Sequence, residues 1–113
     1  MDSILTSIKK LLGIEEEYTQ FDTDIIMHIN TVFTILTQVG VGPTKGFSIK
    51  DKTAVWSDFT EGVIDLNSIQ TYIFLKVKLL FDPPTSSAVI ESMNRSISEL
   101  EWRLFVTVDP ALT

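Results

Sequence analysis

Apolar residues recur at helical spacing in four stretches of the chain. In the first, Ile4, Leu5, Ile8, Leu11 and Leu12 fall three or four apart and share one face of a helix from Ser3 to Leu12. Asp2 or Ser3 can cap it, and Gly13 can take the left-handed turn beyond its end. Lys9 and Lys10 sit near the carboxyl end, where the helix dipole favours positive charge.

The second stretch opens with Asp22 as cap and Asp24 as an early acid, followed by Ile25, Ile26, Ile29, Val32, Phe33 and Leu36. Val39-Gly40-Val41-Gly42-Pro43 stops it. Thr31, Val32, Thr34, Ile35 and Thr37 are β-branched and weak helix formers, so tertiary packing must hold this helix.

The third helix is predicted from Leu66 to Phe81. Its stripe of Ile69, Tyr72, Ile73, Val77 and Leu80 is widened by Phe74, Leu79 and Phe81, which implies neighbours on more than one side. Asp82-Pro83-Pro84 ends it, because a proline pushes the preceding residue out of helical geometry. The fourth helix is predicted from Ser87 to Phe105, with Ser86 or Ser87 as cap. Its seam of Val89 (or Ile90), Met93, Ile97, Leu100 and Leu104 suits packing on the third helix as a hairpin. Glu91 and Arg95, and Glu99 and Arg103, stand four apart with the acid first, the favourable order.

Two stretches break the helical pattern. Ile14 to Phe21 is a connector carrying Glu15, Glu16 and Glu17, a negative patch that is either solvated or turned to a partner or to passing DNA. Between Gly42 and Val63, Phe47-Ser48-Ile49 alternates, Asp51-Lys52 can turn, and Ala54-Val55-Trp56 can return as a second strand. A hairpin this small needs support from helices or from a neighbouring subunit. Trp56 and Phe59 are expected to anchor the segment, and Phe47, Ile49, Val55 and Trp56 are also candidates for subunit contact. The predicted fold is therefore mainly α: a small four-helix bundle with a long central loop or short β-hairpin between helices two and three. Residues 1–105 form one domain and 106–113 a tail.

Composition narrows the chemistry. Fifteen acidic residues against nine basic give a net charge of −6, with no basic cluster to grip a phosphate backbone. The absence of cysteine removes disulfides, thiolate metal sites and cysteine nucleophiles. The amino terminus lacks the pattern of a signal peptide, and no apolar run approaches the ~20 residues of a membrane span, so a soluble chain is expected. His28, the single histidine, lies on an apolar helix and reads as a structural residue. Gly40-Val41-Gly42 lacks the third glycine of a dinucleotide fingerprint, and the acidic residues match no metal spacing. Neither enzyme activity nor a cofactor or metal is expected.

What remains are interaction features. Trp102 and Arg103 belong to residue types enriched at binding hot spots. Phe105, Val106 and Val108 follow in a segment with no evident reason to be buried within the subunit. A 44% hydrophobic share also leaves apolar surface for another chain to cover.

The run from Tyr72 to Ser87, a helix, Asp82-Pro83-Pro84 and a second helix, closes with Glu99-Leu100-Glu101-Trp102-Arg103-Leu104. This hairpin, together with the capped helix from Asp22 that ends in Gly40-Val41-Gly42-Pro43, resembles small head–tail connector proteins of long-tailed phages of Gram-positive hosts. The resemblance implies an adaptor in the virion neck, assembled in the host cytoplasm as a ring, expected to be twelve-fold, on the portal protein. Such a ring extends the DNA channel, lets DNA pass without specific binding, and receives a stopper or tail-completion protein. It also implies that the carboxyl-terminal part, Trp102 to Thr113, engages the portal. The alternative is a small acidic regulatory protein that binds a host protein as monomer or dimer. A helix-turn-helix DNA binder is disfavoured by the lack of a basic recognition helix.

Overall fold

The computed structural model describes residues 3–43, 45–59 and 66–108, with side chains as far as Leu104. Five helices stand among them: α1 (Ile4–Leu12), α2 (Asp22–Gln38), α3 (Trp56–Phe59), α4 (Leu66–Phe81) and α5 (Ser87–Val108). The fold is mainly α, and α3 is the short addition to the four expected helices. The last helix runs three residues past its predicted end at Phe105, and 109–113 lie outside the described residues.

The α4 helix organises the rest. Its broad apolar surface meets α1, α2 and α5, as apolar character around most of its circumference requires. α2 runs antiparallel to α4. The ring of Phe21, just before α2, lies 5.4 Å from that of Phe81 at the end of α4, and Ile35, Leu36 and Val39 at the far end of α2 gather near Tyr72. α5 returns along α4 after the Asp82-Pro83-Pro84 turn, with Ser86 Oγ accepting from the Val89 N–H. Ile97 and Leu104 are buried in this seam and Ile90 is half-buried, whereas Val89 faces solvent, so Ile90 is the seam residue of the pair.

Ser3 caps α1 by accepting from the Thr6 N–H, and Gly13 closes it at φ 83°. Asp22, expected as the cap of α2, is instead its first helical residue, and Phe21 holds the cap position without a side-chain hydrogen bond. Asp22 is drawn to Lys9. That lysine is only 2% exposed, and its Nζ donates to the carbonyls of Glu16 and Tyr18 at 3.0 and 2.7 Å. Asp22 Oδ1 lies 2.8 Å away, close but not aligned as a hydrogen bond, so the attraction is electrostatic. Lys9 thus ties the α1–α2 connector to α1.

Of the two alternatives for the central segment, the structure has the long loop, and no strand occurs among the described residues. The backbone groups that would pair Phe47–Ile49 with Ala54–Trp56 have other partners. Asn30 takes both backbone groups of Ile49, the Ala54 carbonyl accepts from the Ile4 N–H, and Val55 forms an isolated bridge with Ser3. Trp56 then opens α3 and donates from Nε1 to Ser7 Oγ at 3.0 Å. The segment is a long loop sewn onto α1 and α2.

Candidate protein-interaction surface

The α2 helix buries Leu36 in its last turns but leaves Ile35 half-buried and Val39 exposed. Ile35 and Val39 at its carboxyl end, Tyr72 on α4, and Glu101, Trp102 and Leu104 on α5 enclose a cleft of about 310 Å³. α2 and α5 both lie on α4 and leave this hollow between their carboxyl-terminal ends. Its walls are almost wholly apolar. The polar groups are the Tyr72 hydroxyl and the Glu101 carboxylate, and the hydroxyl donates to Glu101 Oε2 at 2.9 Å. Burial raises the Tyr72 pKa well above its ordinary value, and the hydrogen bond to Glu101 and the charge of that carboxylate add to the shift.

Trp102 stands at the cleft mouth, 66% exposed. An indole left so open, beside a hollow lined by aliphatic side chains, suits an apolar group from another chain. Apart from the Tyr72 hydroxyl and the Glu101 carboxylate, which are bonded to each other, the described side chains that line the cleft are aliphatic or aromatic. Among the described residues no three His, Cys, Asp or Glu side chains converge as metal ligands, and no helix is long and apolar enough to cross a membrane.

The other sequence candidates fall in different places. Arg103 is exposed and pairs with Glu99 at 2.6 Å. Ile49 and Trp56 are core residues of the subunit, and the half-buried Phe47 packs against the rings of Phe33 and Phe59. Val55 is half-buried beside Ser3. Ile49, Trp56 and Phe47 lie in or against the subunit's own core, because the loop folds against α1 and α2 instead of projecting as a hairpin. Glu15, Glu16 and Glu17 are exposed on the connector. The side chains of Phe105, Val106 and Val108 lie outside the described residues.

Sequence reasoning did not single out Ile35, Val39 or Tyr72 as cleft residues. The available signal was Val39, an apolar residue beyond the last turn of a helix that already had its buried stripe. Leu11 and Leu80 fall on the apolar stripes of their helices and are nevertheless exposed, as is Met27, which lies off the stripe of α2.

His28 lies edge-on to Phe81, at 6.4 Å between ring centroids, in a row that continues through Phe21 to Tyr18. That placement makes it a packing residue at the rim of α2.

No curated protein and no solved structure matches the chain. The family described as phage connector protein matches residues 4–111, from the first turn of α1 to beyond the end of α5. The chain therefore belongs to the phage connector protein family, a structural family of the phage head–tail junction.

Proposed function

We propose that this connector works as one subunit of a ring, twelve-fold, that docks on the portal, extends the DNA channel and receives a stopper or tail-completion protein. The observation that carries this reading is Trp102, held open over an apolar cleft in a subunit that buries its other tryptophan, Trp56, almost completely. A surface of this kind lowers its free energy by being covered. The carboxyl-terminal part of the chain, past the cleft residues Glu101, Trp102 and Leu104, contributes the portal contact, and the tail that follows α5 takes part in it. The net charge of −6 keeps the channel wall from holding DNA, which passes without specific binding. The acidic Glu15-Glu16-Glu17 run faces the channel or a neck partner.

The test is a phage that lacks this protein. DNA-filled heads and complete tails should accumulate unjoined, and purified protein added to the extract should join them. Efficient joining without it would overturn the reading.

A further inference from the structure

The ring reading requires one subunit to present two unlike surfaces, because head-to-tail contacts that close a ring are heterologous. The cleft is one of them. Its occupant must be apolar, to fill the hollow, and should bring a cation to the Glu101 carboxylate at its edge, which holds one hydrogen bond from Tyr72 and has room for more. The last turn of α1 offers that combination. Leu11 points away from the core and is 53% exposed, and its neighbour Lys10 is exposed with no ion pair among the described residues.

The other exposed apolar residues fit less well. Of the two lysines that precede Leu80 on α4, Lys78 is already paired with Asp82 at 2.9 Å and Lys76 lies over the Tyr72 ring of its own subunit at 5.9 Å, and Met27 is followed by a histidine packed on Phe81. Position also favours α1. It packs on α2 and α4, α5 packs on α4, and α1 and α5 make no substantial contact with each other. Lys10 and Leu11 are not among the residues that line the cleft, so the end of α1 is a surface separate from it. Such a pair of surfaces joins successive copies without being used up within one.

We infer that Lys10 and Leu11 of one copy dock into the cleft of the next, Leu11 against Val39 and Trp102 and Lys10 against Glu101. This inference rests on the ring reading and names the subunit contact within it. The contact is charge-specific, so it can be reversed. Lys10→Glu and Glu101→Lys each place like charges across the interface, and the double variant restores opposite ones.

The experiment is light scattering after size exclusion on the full chain, alone and on purified portal, for the wild type, both single reversals, the double reversal and Trp102→Ala. Circular dichroism establishes that each variant is folded. Support consists of a wild-type assembly of many 12.7 kDa subunits, single reversals and Trp102→Ala reduced to subunit mass, and the assembly recovered in the double reversal. If the wild type assembles and the folded single reversals assemble equally well, the surface assignment falls while the ring stands. Failure of the double reversal to recover what the singles lose also overturns the Lys10–Glu101 pairing. A wild type that stays at subunit mass even on portal overturns both readings.

Discussion

Asn30 holds Ile49 by both of its backbone groups. The Ile49 N–H donates to Asn30 Oδ1 at 2.7 Å, and Asn30 Nδ2 donates to the Ile49 carbonyl at 2.9 Å. A side-chain amide in the middle of α2 thus does for the central loop what a neighbouring strand would have done. It leaves Ile49 buried under α2 with its backbone satisfied.

Replacing that amide tests the arrangement. Asn30→Ala should destabilise the subunit by about 1–3 kcal/mol, the cost of leaving a buried backbone group without a partner. Asn30→Asp keeps an acceptor for the N–H but sets a carboxylate against the Ile49 carbonyl, so it should not rescue. Urea denaturation of both variants measures the effect, and an Asn30→Asp midpoint equal to wild type would contradict it.

The buried ammonium of Lys9 gives an asymmetric expectation. Asp22→Ala leaves a lysine that is almost wholly enclosed with only two carbonyls for company. Removing one partner of a buried ion pair costs roughly 3–5 kcal/mol, and the partial exposure of Asp22 puts this case at the lower end. Lys9→Met removes the charge and keeps the apolar stem, so it should cost less than Asp22→Ala in the same thermal or urea melt.

Two glycines with the same backbone should respond differently to alanine. Gly13 and Gly42 have φ of 83° and 89°, where a side chain is strained. A Cβ at Gly13 meets nothing, whereas at Gly42 it would lie 2.5 Å from Phe59 Cε1, a buried ring. Gly13→Ala should cost about 1 kcal/mol of backbone strain, and Gly42→Ala should add overpacking of about 1–3 kcal/mol. Equal losses in parallel melts would contradict the packing of Phe59 under Gly42.

The helices were legible because their apolar periodicity matches their surroundings. The third helix, contacted on several faces, showed its full span from Leu66 to Phe81, and both Glu–Arg pairs of α5 form at 3.2 and 2.6 Å. The choice between loop and hairpin in the central segment was not legible, for a tertiary reason. Its alternation is that of a strand, but Ile49 is held by Asn30, Ala54 by Ile4 and Val55 bridges Ser3, all far away in sequence. The cleft was half legible: Trp102 was singled out by residue type, while Val39 and Tyr72 acquire their role only once α2 and α5 are set side by side on α4. The burial of Lys9 was not legible, because a lysine near a helix end is ordinarily solvated and nothing local announces that two carbonyls and a carboxylate will enclose it.

The raised pKa of Tyr72 carries a stability consequence. Its proton is held more tightly in the folded state than the ordinary value of 10.0 allows, so the contribution is complete below that pH. Above it the unfolded state loses its proton first, and stability falls as pH rises toward the folded-state pKa. Tyr72→Phe removes this titration and the hydrogen bond to Glu101. Its stability should be lower than wild type at neutral pH and should decline less steeply above pH 10.0. Parallel slopes in that range would contradict the assignment.

The central claim is that the open cleft beneath Trp102 exists for assembly. Trp102→Ala removes an exposed side chain, so the subunit's own stability should change by no more than about 0.5 kcal/mol. The most direct measurement is the mass of the wild-type protein mixed with portal from the same phage, by light scattering after size exclusion, with Trp102→Ala run alongside. The account expects the wild type to co-migrate with portal as a ring at near-equal stoichiometry, and the folded Trp102→Ala protein to elute alone as a subunit. A wild type that ignores the portal, or a Trp102→Ala protein that joins it as well as wild type does, would contradict the account.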